Sequence, residues 1–235
     1  MKGRYIMAEE WLSREAALIG EEAVHRLAAA RVTVFGVGGV GSYTVEALAR
    51  AGIGSLTLID GDEVALSNLN RQLIADHTTL GQKKAEVAAG RVLTINPQCE
   101  VIAKAVFADA TNTASLLDEA KPDYIVDAID CVTTKILIAE WARDHSVPLI
   151  ASMGTGNKLN PSLLQIGDLS KTTVCPLARV MRRELRARGI LHLPVLFSTE
   201  EPVRTGCRTP ASISFVPSVG GLLIAGHVIR ELIGR

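Results

Sequence analysis

The chain has 235 residues, enough for one large domain, or one and a half, with a substantial core. Its 25 basic and 25 acidic residues cancel, so bulk charge announces no nucleic-acid binder, and 48% apolar with 4% aromatic content fits an ordinary soluble α/β protein. The four cysteines form no C-x-x-C pair, which argues against structural zinc. The charged N-terminus carries no signal-peptide core, so a reducing cytoplasm is expected.

In chain order, Trp11, Leu12, Leu18, Ile19, Val24 and Leu27 recur at helical spacing and predict a helix over 9–30. A short buried strand follows at 32–35. A helix then runs from Gly41 to about Ala51, ended by glycine C-capping at Gly52 and Gly54. Strands at 56–59, 100–103, 124–128 and 149–152 alternate with helices from near Gly81 to 93, over 113–119 and over 134–145. Beyond Gly154, strands at 163–166 and 195–197 flank a basic helix over about 176–188. A loop over 199–210 and an apolar C-terminal helix follow. The nearly uncharged stretch 213–229 is shorter than the roughly 20 residues of a membrane helix. It contains Pro217 and His227, so a buried or interface helix is expected and no membrane association.

This alternation predicts an α/β fold: a doubly wound, Rossmann-like, mostly parallel sheet that a C-terminal extension continues. The expected organisation is an N-terminal helical segment (1–30), a nucleotide-binding domain (31–153) and the extension (154–235).

Gly36, Gly38 and Gly41 form G-x-G-x-x-G between a strand and a helix, where backbone amides approach phosphate closely. Asp60 ends the next strand, where a carboxylate accepts from both ribose hydroxyls; a turn-forming Asp before Gly61 is the plainer reading. A nicotinamide cofactor would demand little of the following residues. Yet Asn68, Arg71 and Lys84 occur in one connected stretch, and a bidentate donor beside a point charge suits a triphosphate.

Together Gly36-x-Gly38-Gly39-x-Gly41, Asp60-x-Asp62, Ser67-Asn68-Leu69-x-Arg71-Gln72, Gly81-x-x-Lys84 and Asp127-Ala-Ile-Asp130 resemble one family. It is the ubiquitin-activating-enzyme-like superfamily of ThiF/MoeB-type adenylating enzymes. The resemblance covers essentially the whole chain and implies ATP and Mg2+. By it, Asp60 holds the ribose, Asn68, Arg71 and Lys84 hold phosphates, and Asp130 binds the magnesium. Gly36, Gly38, Gly39, Gly41, Asp62 and Gln72 complete the nucleotide site. Arg14 resembles an arginine that reaches the γ-phosphate in a partner subunit, which implies a homodimer. Read from sequence, capping of the next helix is the competing role for Asp130, and one residue could serve both.

The strings Gly156-Asn-Lys-Leu-Asn-Pro161, Asp168-Leu-Ser-Lys-Thr172, Cys175-Pro-Leu-Ala-Arg179-x-x-Arg-Arg-x-Leu-Arg186 and Val195-Leu-Phe-Ser-x-Glu200 resemble the tRNA threonylcarbamoyladenosine dehydratase subfamily. This implies a tRNA substrate whose threonylcarbamoyl carboxylate, next to the anticodon, is adenylated and closed into a ring. The pattern adds its own observation: Arg179, Arg182, Arg183 and Arg186 share one helical face, with Arg188 beyond and Lys171 just upstream. That stripe suits a phosphate backbone, or is a solvated face paired with acidic neighbours.

Cys207, between Arg204 and Arg208, has the setting of a reactive thiol. A catalytic thioester, acceptance of sulfur from a desulfurase-type partner and an inert loop cysteine all stay open. Cys99 and Cys131 are expected to be buried, and Cys175 lies at a helix start. The competing functions are activation of a Gly-Gly-tailed sulfur-carrier protein, a non-catalytic nucleotide-binding scaffold of a desulfurase system, and, last, a dehydrogenase.

Overall fold

Short segments of four or five residues, most apolar in the centre of the sheet, form the strands of the computed structural model, which describes residues 10–207 and 209–235. The strands are β1 (Arg31–Phe35), β2 (Ser55–Ile59), β3 (Glu100–Lys104), β4 (Tyr124–Asp127), β5 (Leu149–Ser152), β6 (Leu164–Asp168) and β7 (Pro194–Ser198). They make one seven-stranded sheet in the order β3-β2-β1-β4-β5-β7-β6. Every neighbouring pair is parallel except β6–β7. The extension therefore continues the sheet, and its edge strand turns back on β7.

Strand order reverses between β1 and β4, where Phe35 lies opposite Asp127. The crevice beyond the carboxyl ends of these strands is where open α/β sheets place ligands.

Helices cover both faces. On one lie α2 (Glu21–Ala29), α3 (Gly41–Arg50), α4 (Lys84–Ile95) and α8 (Phe215–Ile233). On the other lie α5 (Thr113–Ala120), α6 (Val132–Asp144) and α7 (Pro176–Ala187). The helix expected over 9–30 is broken. A separate α1 (Ser13–Ile19) ends at Gly20, whose φ of +90° suits glycine and interrupts the helical path. Residue 9 lies outside the described residues. The helix expected from Gly81 begins only at Lys84, because Gly81 (φ +78°) turns the chain and its N–H donates to Val64 O.

By length and composition α8 could cross a membrane, but it is a core helix here. Val216, Gly220, Gly221, Ile224, Ala225 and Val228 are buried. The Thr44 hydroxyl of α3 donates to Gly221 O at 3.0 Å. A Cβ on Gly221 would stand 2.3 Å from Val40 O, so α8 reaches α3 at a distance only glycine allows.

Candidate nucleotide site

The turn after β1 is built around two glycines. Gly36 has φ +83°, and a Cβ there would lie 2.8 Å from Ala128 O. A Cβ on Gly41 would fall 1.8 Å from Gly36 O. The turn can therefore fold back on itself and set the first amides of α3 toward the crevice. Gly36, Gly38 and Gly39 line that crevice; Gly41 is buried in the turn and shapes it from behind.

The crevice has a volume of about 530 Å³ and gathers most of the residues expected from sequence. Asp60, Asp62, Asn68, Arg71, Gln72, Lys84 and Asp130 all line it. Asp60 is fixed by two backbone donors, the Val37 N–H to Oδ2 at 2.7 Å and the Asp62 N–H to Oδ1 at 2.9 Å. That is more than a turn-forming aspartate, although each oxygen keeps capacity for a further donor. Asn68 is buried and accepts from the Ala65 N–H at 3.0 Å. Arg71 donates through Nη1 to Ser67 O and to Asn70 Oδ1, both at 2.9 Å, which orients its guanidinium. Lys84 is not a solvated helix residue: it is 5% exposed, and its Nζ lies 2.7 Å from Asp62 Oδ2. Gln72 is buried with its Oε1 unpartnered among the described residues. Phe35, Ile59, Val106, Phe107 and Ile129 add an apolar wall. The crevice thus offers apolar side chains that suit a flat base and cationic ones that suit a polyanion.

Opposite the glycine turn, β4 ends in Asp127 and the chain passes through Ala128, Ile129 and Asp130 into α6. The N-cap position of α6 is Cys131, so the capping alternative for Asp130 falls away. Asp130 makes no ion pair among the described residues and lines the crevice. Below it lies a pair the sequence reading missed: Lys135 and Asp127, both about 1% exposed, with Nζ 2.9 Å from Oδ1. Burial pushes the Asp127 pKa up while the Lys135 charge pulls against it. Only the alignment of a β4 end with the second turn of α6 brings the two together.

The cysteines partly reverse the expectation. Cys99 is buried, as expected, and burial raises its pKa to about 11. Cys131 was expected to be buried but is exposed and lines the crevice. Thr134 and the start of α6 hold its thiol below the usual value. Cys175 heads α7 but is buried. Cys207 is exposed on the 199–214 loop and does not line the crevice. Arg208 lies outside the described residues. Arg14 is exposed on α1 and does not line the crevice of its own chain.

The basic face of α7 is divided. Ala178, Met181 and Leu185 face the core. Arg182 donates to Thr172 O at 2.7 Å and to the Thr172 hydroxyl. Arg183 pairs with Glu184 at 2.8 Å, and Arg188 with Glu184 and Glu140. Arg179, Arg186 and Lys171 are exposed and without ion pairs among the described residues.

The chain and its fold are similar to known proteins. The ThiF family model matches residues 12–235. The tRNA threonylcarbamoyladenosine dehydratase of Bacillus subtilis is 40% identical, covering 94% of each chain. That of Escherichia coli is 38% identical, over 98% of this chain and 97% of its own. The solved structure of the Escherichia coli enzyme in complex with ATP superposes with a TM-score of 0.90 at 35% identity, covering 97% of both chains. The chain sets a glycine turn, a carboxylate fixed by two backbone amides and a cation-lined crevice at the switch point of its sheet, and by the match over residues 12–235 it belongs to the ThiF family.

Proposed function

We propose that this protein is an ATP-dependent tRNA threonylcarbamoyladenosine dehydratase. The single observation that carries this is the convergence of Asp60, Asn68, Arg71, Lys84 and Asp130 on one crevice. The full-length likeness to relatives of that name supports it.

A carboxylate is a poor electrophile at neutral pH. Its oxygen attacks the α-phosphorus of ATP, the bond to the β-phosphate oxygen breaks, and pyrophosphate leaves. A nitrogen or oxygen of the same modified side chain then attacks the acyl carbon, loses its proton and expels AMP. The sum is loss of one water from the tRNA. Arg71 and Lys84 are poised to stabilise the charge that develops on the departing pyrophosphate. Lys84 is delivered by Asp62, whose carboxylate keeps the buried ammonium paired until phosphate arrives.

Asp130 fits a Mg2+ ligand: it is a carboxylate in the crevice without an ion pair among the described residues. No group of three His, Cys, Asp or Glu is present among the described residues, which suits an ion that takes one or two carboxylates plus phosphates and water. Bound Mg2+ would neutralise phosphate charge. Arg14 acts across a homodimer. Arg179, Arg186 and Lys171 receive the tRNA backbone, together with the exposed Arg183, while Arg182 is engaged with Thr172. Such a substrate puts the work in the cytoplasm.

The test is to incubate the protein with ATP and tRNA carrying the modification, then follow pyrophosphate release and anticodon-loop nucleosides by mass spectrometry. Release that depends on the modified tRNA, with loss of one water, is expected. Release driven by a Gly-Gly-tailed protein and indifferent to tRNA would replace this reading. ATP binding without turnover on either substrate would leave the scaffold.

A further inference from the structure

We infer that Lys135 is a positioning residue that sets the Asp130 carboxylate for metal-bound nucleotide, acting through the backbone of Ile129. Its Nζ donates to Asp127 Oδ1 at 2.9 Å and to Ile129 O at 3.0 Å. Asp127 Oδ1 in turn accepts from the Ile129 N–H at 3.3 Å. The pair therefore grips both backbone groups of the residue immediately before Asp130. Ala128, one step earlier, is tied by its N–H to Phe35 O at 2.8 Å, and a Cβ on Gly36 would collide with Ala128 O. On the far side, the Lys135 N–H donates to Cys131 O and starts α6. Lys135 thus closes the loop from three directions.

The pair is set apart from ordinary structural ion pairs by what it leaves unmet. Asp127 Oδ2 is buried with no partner among the described residues. A buried ion pair is weak evidence for stability, since apolar side chains of similar volume often serve as well, so what Lys135 holds in place matters more than the pairing itself. Here one carboxylate oxygen and one ammonium are committed to the N–H and the C=O of one residue, Ile129, and so fix the two consecutive peptide groups that lead into Asp130, which lines the crevice. Groups that orient a metal ligand without touching the metal tune affinity strongly.

The inference rests on Asp130 as the metal-facing carboxylate, and its test is separable from the tRNA reading. ATP affinity is measured by titration calorimetry with and without Mg2+ for the wild type, Lys135→Met and the double variant Asp127→Asn/Lys135→Met. The double variant leaves no uncompensated buried charge, so it keeps the question open to measurement if the single one unfolds. Circular dichroism melts accompany each.

In the wild type, Mg2+ tightens ATP binding. In the variants that gain falls about 10-fold or more, while metal-free ATP affinity stays nearly constant. Lys135→Arg, which can still reach the Ile129 carbonyl, restores part of it. A folded variant that keeps the full Mg2+ gain, or a wild type with none, overturns the inference. Failure of modified tRNA to drive pyrophosphate release in the wild type overturns only the substrate reading.

Discussion

A thiol reacts as its thiolate, so the surroundings of the cysteines decide which can be modified. Cys131 combines an exposed position in the crevice with a pKa below the usual value, caused first by Thr134. A lowered pKa means the thiolate is already present at a pH where an ordinary thiol is protonated. Iodoacetamide should therefore label Cys131 with a midpoint pH below that of a free cysteine, and ATP should slow it. Cys207 lies off the crevice, so its labelling should ignore ATP. Peptide mass spectrometry across a pH series checks both. ATP protection of Cys207 instead would favour its catalytic reading over that of an inert loop cysteine. The misreading of Cys131 has a physical cause: its apolar neighbours suggest burial, but a residue at the carboxyl edge of the sheet faces the ligand crevice. Lys135 was illegible for a related reason. In Thr133-Thr134-Lys135-Ile136 a lysine looks solvated, and only β4 docking under α6 supplies its buried partner.

Among the elements, the stretch from β1 through Lys84 was the most legible. A strand, a glycine turn and a fixed carboxylate are set by local backbone demands that sequence states directly. Helix α7 shows the opposite case. Its amphipathic period was readable, but four arginines on a helix wheel do not reveal which are already engaged. Arg182 holds the Thr172 carbonyl, and Arg183 and Arg188 share Glu184, whereas Arg179 and Arg186 stand two turns apart and unpaired among the described residues. Charge reversal at Arg179 and Arg186 should weaken tRNA binding. It should also reduce the dependence of log affinity on log salt by about 1 for each phosphate no longer neutralised. Arg182→Ala should instead lower the melting temperature, because it strands a carbonyl at the foot of the helix. An unchanged salt slope in the Arg179/Arg186 variant would remove α7 from the interface.

At the scale of the molecule, the extension and the nucleotide domain are not separable bodies. Pro217 at the start of α8 lines the crevice and lies within 3.2 Å of where a Gly39 Cβ would be. One turn further on, Gly221 admits the α3 backbone. The chain's last long helix thus closes a site announced by its first strand, a join that the apolar run 213–229 could not disclose. Two substitutions on this helix isolate that packing. At Gly221, an added Cβ would meet Val40 O at 2.3 Å and Tyr43 Cβ at 2.8 Å, neither of which can yield without moving α3. Gly221→Ala should cost ~2 kcal/mol by overpacking, lowering the melting temperature by roughly 4–8 °C for a chain of this size. Because α3 carries the glycine turn at its start, ATP affinity should fall with it. At Gly226, a Cβ would meet nothing within 4 Å, so Gly226→Ala should gain about 0.5–1 kcal/mol from helix propensity alone. Differential scanning calorimetry of the two variants, with and without ATP, checks the pair. Equal melting temperatures for both would mean that α8 does not dock on α3 in solution, and the wall it gives the nucleotide crevice would go with it.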